Sequence, residues 1–217
     1  MRASDGLLPQ GKLEIFVTRG QPKLILGEEI SGRRNPTHRS AELDFSNCDI
    51  LSRLEKKNII VNNGKDKVIQ SLTDGFVNVI CRMAIGDRGA LASNLQVPKV
   101  PTTDMTALYN EVYRSDVDTT VEDIGSPDTH AVTLIKTFST AEVPLTSFSN
   151  QANPVVNEVG LIMCDIFSGA PRPRPDVAAP ATPDADESLF SIRTFKSVPF
   201  DAADEIAVTI KYTVFVE

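Results

Sequence analysis

The chain has 217 residues, 41% of them hydrophobic and 24% charged, with 22 Lys and Arg against 29 Asp and Glu for a net charge of −7. These proportions belong to a folded globular protein long enough to bury a core. The acidic balance argues against sequence-independent binding of nucleic acid, and no apolar run nears the roughly 20 residues that cross a bilayer as a helix.

The charge is unevenly spread: residues 1–58 carry a net +2 and residues 59–217 a net −9. The opening Met1-Arg2-Ala3-Ser4-Asp5-Gly6 lacks the apolar segment of a signal peptide, so Sec export is not expected. The three cysteines, Cys48, Cys81 and Cys164, are far apart, with neither the spacing of a zinc site nor that of a disulfide framework. Cys81 and Cys164 lie in apolar strand-like runs and are expected as buried free thiols. The alternative is a disulfide between subunits of an assembly.

Residues 1–58 read as an irregular extension, a docking arm too broken to have its own core. Within it, residues 12–18 and 23–26 are candidate strands. Residues 31–40 hold Gly32, Pro36 and the basic group Arg33, Arg34, His38 and Arg39, and read as a loop or extended arm. Asp49 is placed to cap a short helix carrying Leu51 and Leu54. The compact body is expected over residues 59–217. Residues 59–61 are β-like. Val68, Ile69 and Leu72 fall at helical spacing before Gly75, a suitable C-terminal cap. Residues 76–85 alternate as a strand that ends at the turn Gly86-Asp87-Arg88-Gly89.

Asp104 is a good N-cap for a second helix with Met105, Leu108, Tyr109 and Val112 on one face and Glu111 within reach of Arg114. Residues 115–121 read as extended, and residues 129–138 alternate again. Residues 155–167 are a strongly apolar strand interrupted by Glu158 and Gly160. Residues 168–187 contain five prolines with almost nothing apolar to bury, and read as a mobile insertion. A partner-binding polyproline II segment is the alternative. At the end, residues 189–195 are expected to pair with 206–216. In that last strand Ile206, Val208, Ile210, Tyr212, Val214 and Val216 form an apolar row toward a core. The opposite row, ending in Phe215, is a candidate contact surface. The expected fold is mainly β with two or three short helices, an antiparallel β-sandwich body behind an irregular extension.

A search for chemistry returns little. The only histidines are His38 and His130, and neither accompanies a nucleophile motif, so both read as solvated or capping imidazoles. Gly86-Asp87-Arg88-Gly89 lacks the glycine spacing and lysine of a phosphate cradle. Asp116, Asp118, Glu122, Asp123 and Asp128 lack calcium-loop spacing and read as a solvated edge. Glu158, inside an apolar strand, is the oddest residue, and no second carboxylate or nucleophile accompanies it in sequence. No catalytic residue, metal or cofactor is expected. Arg33, Arg34 and Arg39 suit contact with an acidic protein face, such as the body of a neighbouring copy.

Several stretches carry a resemblance in their order. Arg82-Met83-Ala84-Ile85-Gly86-Asp87 is similar to an "iaiGtG" strand end, and Leu108-Tyr109-Asn110-Glu111-Val112-Tyr113-Arg114 to an "Lx-x-Ev-R" helix. Val156-Asn157-Glu158-Val159-Gly160-Leu161-Ile162 is similar to an "l-x-EvGLf" strand, and residues 189–200 and 208–216 to paired final strands. Together, over residues 59–217, they resemble virion structural proteins of tailed bacteriophages from the neck or collar, the baseplate or the tail-fibre root. The resemblance implies a non-enzymatic structural protein of the virion, assembled in the host bacterial cytoplasm. Its partners would be other copies of itself and connector, tail or baseplate proteins, with no membrane contact. It also makes Glu158 a family position, a carboxylate accepting hydrogen bonds from backbone or arginine, with Arg114 as the first partner to test. The alternative is a receptor- or carbohydrate-binding module at a fibre base. The absence of Trp and the presence of only three Tyr weigh against a sugar platform.

Overall fold

The computed structural model describes residues 10–31, 37–57, 59–73, 78–126, 129–165, 177–178 and 187–216. In chain order the first strands are β1 (Gln10–Arg19), β2 (Lys23–Leu26), β3 (Thr37–His38), β4 (Ala41–Asp44), β5 (Asp49–Lys57) and β6 (Ile59–Ile60). After helix α1 (Asn62–Thr73) come β7 (Asn78–Gly86), β8 (Ala90–Leu91), β9 (Asn94–Pro98), β10 (Glu111–Asp116), β11 (Thr119–Ser126) and β12 (Thr129–Ser139). The last are β13 (Val155–Asp165), β14 (Val177–Ala178), β15 (Glu187–Pro199) and β16 (Ile206–Val216). The protein is mainly β, and α1 is the one α-helix among the described residues.

The chain divides into two compact units, each holding one six-stranded sheet. The first unit combines Met1–Asn58, Val117–Ser139 and Ala202–Glu217. Its sheet runs β3-β11-β12-β16-β1-β5, antiparallel except for β3 beside β11. β16 lies between β1 and β12, in register from Gln10↔Phe215 to Arg19↔Ile206 and from His130↔Val216 to Ser139↔Ala207. Leu13, Ile15, Ile210 and Val208 are fully buried. The other row of β16 is not a wet face: Ala207 and Thr209 are also fully buried. Its threonines meet β12 across the sheet, Thr137 with Thr209 and Thr133 with Thr213, each with hydroxyls 2.9 Å apart. Such cross-strand pairs help fix register. Phe215 contributes its backbone to this sheet, and its side chain lies outside the described residues.

The expected N-terminal extension therefore supplies β1, β3 and β5 to this sheet, while β2 and β4 pair with each other in a two-stranded sheet of their own. β1 reads weakly in sequence because Phe16 interrupts the polar row of Lys12, Glu14 and Thr18 opposite Leu13, Ile15 and Val17, yet Glu14 and Thr18 are themselves buried. Glu14 is held by Arg53 of β5 at 2.6 Å, and Arg53 also lies over the Phe16 ring at 5.3 Å. The helix expected from Asp49 is strand β5. Leu51 and Leu54 suit a short helix, but pairing with β1 supplies backbone partners along the whole segment.

The second unit combines Ile59–Asp116 and Thr140–Asp201, with sheet order β14-β10-β7-β13-β15-β6. Its core includes Val61, Ala84, Leu108, Ile162, Leu189 and Ile192, with Met105 packed against them. α1 approaches β15 closely at Gly64, where a Cβ would run into the Phe190 backbone. The helix forms as its spacing predicts, while the expected cap Gly75 lies outside the described residues. β7 and β12 match the strands their alternation predicts, and β13 the one its apolar run predicts, within a few residues at each end.

Two expectations fail in this unit. The helix expected from Asp104 is a turn followed by β10. The N–H groups of Tyr109 and Asn110, which a helix would aim at the preceding turn, go instead to the Glu158 carboxylate. The expected pairing of residues 189–195 with 206–216 is also replaced. β15 pairs with β13 and β6, whereas β16 pairs with β1 and β12 in the other sheet. Both segments alternate well, and alternation does not name a partner. The insertion expected at 168–187 lies outside the described residues, apart from Val177–Ala178, which pair with β10, and Glu187, which opens β15.

Candidate functional site

Two polar clusters are built into the second unit. The first centres on Glu158, which is 0% exposed. It sits in β13 opposite Gly86 of β7 and Thr194 of β15. Its Oε2 accepts the Tyr109 N–H at 2.8 Å, and its Oε1 accepts the N–H of Asn110 at 2.8 Å and of Arg88 at 3.2 Å. Asp87 and Asn157 extend the network. Asp87 accepts the Asn110 side-chain amide at 2.7 Å and the Ser149 N–H at 2.6 Å. Asn157 accepts the Gly89 N–H at 2.6 Å and donates to the Asp87 carbonyl and the Ser197 hydroxyl, each at 3.0 Å.

The glycines of this turn make the approach possible. A Cβ at Gly86 would strike the Asn110 carbonyl and the Glu158 side chain, and one at Gly89 would lie 2.5 Å from the Asn157 carbonyl oxygen. Gly86→Ala is therefore expected to cost at least about 2 kcal/mol, because backbone rather than a flexible side chain must move. Urea unfolding of the two proteins measures it.

The Glu158 pKa is raised to about 6 as the balance of burial, which pushes it up, the N–H groups of Asn110, Tyr109 and Arg88, which pull it down, and Asp87, which adds to the rise. Burial outweighs the donors. The folded protein thus holds this proton more tightly than the unfolded chain, whose ordinary value is 4.5. The contribution of Glu158 to stability is fully present below pH 4.5 and is lost as pH rises to about 6, by about 2 kcal/mol. Wild type and Glu158→Gln, compared by unfolding from pH 4 to 7.5, should differ by this slope. Parallel profiles would exclude it.

The second cluster centres on Arg114, which is 1% exposed. Its Nε and Nη2 grip Glu111, the latter at 2.8 Å, and its Nη1 reaches Glu187 Oε2 at 2.5 Å. In a regular strand, residues three apart point to opposite faces. Between Glu111 and Tyr113 the register against β7 shifts, and the resulting bulge lets Glu111 face Arg114. Arg82, 4% exposed, adds a bond of 3.0 Å to Asp116 and lies 3.7 Å from Glu187 Oε1. Burial raises the Glu111 pKa against the pull of Arg114. Burial alone would lower the Arg114 pKa, but Glu111 and Glu187 outweigh it and raise it.

Glu158 and Arg114, expected as partners, thus belong to separate clusters. Glu158 is satisfied by backbone and Arg114 by two other acids. Arg39 lies in the first unit in an exposed pair with Glu28 at 3.0 Å, and Arg33 and Arg34 fall outside the described residues. His38, expected as solvated or capping, is buried, with Nδ1 3.0 Å from the Gly27 carbonyl oxygen. The supposed acidic edge is partly structural: Asp118 receives Lys136 Nζ at 3.0 Å and the Thr137 N–H at 2.7 Å. Cys81 and Cys164 are not free thiols but a disulfide within the chain, with Cα atoms 5.9 Å apart. Cys48 is free and half-buried.

The expected pairing of Glu111 with Arg114 is present, on a strand instead of a helix, but sequence reasoning missed Arg82 and Glu187 as parts of the same network. An arginine beside a cysteine in an apolar strand was the available signal for Arg82, whereas Glu187 reads as the tail of the proline-rich insertion. No protein-family model matches the chain, and no curated protein matches it.

Proposed function

We propose that this chain is a non-enzymatic structural component of a tailed-bacteriophage particle, a neck or collar protein that assembles as an oligomer around the head–tail junction or tail. The Glu158 node supports the reading. Three of the stretches that carry the resemblance meet there. They are the strand end at Gly86-Asp87, the segment Leu108–Arg114 through Tyr109 and Asn110, and the strand around Glu158 itself. A carboxylate sealed from solvent and filled by main-chain donors fixes loop geometry and is out of reach of a substrate. The likeness is thus one of architecture, and the buried arginine network beside it acts in the same way.

The surface of the second unit also suits contacts between proteins. Leu91, Leu95, Val97 and Val100 are exposed on and after the β8–β9 hairpin, Val100 at 81%. A sugar platform finds less support, because Tyr113 and Tyr212 are buried and the exposed Tyr109 ring is covered by Lys99 Nζ at 4.4 Å.

The test is the mass of the intact chain by light scattering over a wide concentration range, with negative-stain imaging. A closed ring or trimer is the expected result, weakened by Leu95→Asp with Val100→Asp. A monomer at every concentration, encoded among genes unrelated to virion assembly, would overturn the reading. Deleting residues 1–58 is the wrong probe, since it removes β1 and β5 from their sheet.

A further inference from the structure

Cys81, Cys164 and Glu187 converge in the second unit, with both sulfurs and a Glu187 oxygen within 4.8 Å of one another. Three features of the strands bring them together. The β7–β13 register moves from Arg82↔Ile162 to Ile80↔Met163, so Cys81 is the extra residue of a bulge and can turn toward Cys164. Cys164 lies directly opposite Glu187 on β15. Glu187 is oriented by Arg114 on Oε2, leaving Oε1 3.7 Å from Arg82 Nε and 4.0 Å from Cys164 Sγ.

We propose that the reduced form of this pair is a metal site. Cys81 and Cys164 as thiolates and Glu187 as carboxylate hold one divalent cation of the zinc class, with water in the fourth position.

Two thiolates and one carboxylate suit a borderline-soft, tetrahedral cation. Arg114 supplies the outer hydrogen bond that fixes a ligating carboxylate. Charge is conserved between the two forms. Two thiolates and a dication sum to zero, as does a disulfide, so exchanging one for the other adds no net charge to the cluster of Arg82, Arg114, Glu111, Asp116 and Glu187. A separate observation points the same way. Arg82 Nη1 is buried with no hydrogen-bond partner among the described residues. A zinc-bound thiolate or water is an acceptor of the kind it lacks.

The chemistry balances. A dithiol reductant supplies two electrons and two protons, becoming a disulfide itself as the Cys81–Cys164 bond opens to two thiols. The cation then displaces both thiol protons to solvent. The site does not depend on the phage reading, and its test is separate.

In a Cys48→Ser chain the disulfide is opened with dithiothreitol, the reductant is removed without air, and cobalt(II) is added as a coloured stand-in for zinc. The expected result is one equivalent bound per chain, with thiolate-to-cobalt charge-transfer absorption that zinc abolishes. The oxidised chain shows no such band. Cys81→Ser and Cys164→Ser lose it, and Glu187→Gln weakens binding at least tenfold. A reduced chain with two titratable thiols and its native circular dichroism but no band overturns the proposal. So does a chain that loses its native signal on reduction and does not regain it with zinc.

Discussion

Glu158→Ala is expected to lower the free energy of unfolding by about 3–5 kcal/mol, because it strands the N–H groups of Arg88, Tyr109 and Asn110. A buried donor left without its acceptor costs about 1–3 kcal/mol. The three losses do not simply add, since water can enter part of the cavity. Glu158→Gln keeps the volume but turns an amide NH₂ toward donors, so it should fall between alanine and wild type. Urea unfolding gives the totals. Hydrogen exchange localises them: the amides of Arg88, Tyr109 and Asn110 should lose more protection than those of β16, which lie in the other sheet. A change under about 1 kcal/mol, or an even loss of protection across both sheets, would show that the carboxylate does not anchor these segments.

The sequence announced such an anchor only in part. A glutamate in an apolar strand must be satisfied, and backbone donors were one of two partners it could have. The donors themselves could not be foreseen, because Tyr109 and Asn110 fall where Met105, Leu108 and Val112 have helical spacing. Long-range capture of two N–H groups overrides that local pattern. The same holds for β5, whose apolar residues fit a short helix until pairing with β1 decides the matter. Strands with sustained alternation, β7, β12 and β16, were legible because burial of a face depends on period alone, and β13 was legible as a long apolar run. Their partners were not legible, and β15 and β16 lie in different sheets although both alternate. Bulges hide side-chain neighbours most completely. One turns Cys81 toward Cys164, and another keeps Glu111 beside Arg114, a pair the sequence suggests only through the helical spacing that the strand replaces.

That dependence on a bulge makes Arg114 the most exacting position to change. Arg114→Met is expected to cost about 3–5 kcal/mol near neutral pH, because it leaves Glu111 and Glu187 buried without the cation that both grip. The loss should not persist when the acids go too. Arg114→Met with Glu111→Gln and Glu187→Gln replaces three charges by neutral groups of similar volume, leaves Arg82 paired with Asp116, and should recover at least half of it. The pH dependence gives an independent check. Burial already raises the Glu111 pKa, and without Arg114 nothing comparable opposes it. In the single variant the folded state then binds the Glu111 proton more tightly than the unfolded chain does. Its deficit against wild type should therefore shrink as pH falls toward the unfolded carboxylate value and grow as pH rises above it. Unfolding curves of wild type, single and triple variants at pH 5 and pH 7.5 separate the outcomes. A single variant as stable as wild type at pH 7.5 would mean that the network contributes no net stability. A deficit independent of pH would trace the loss to packing of the guanidinium stem, not to the two acids left behind.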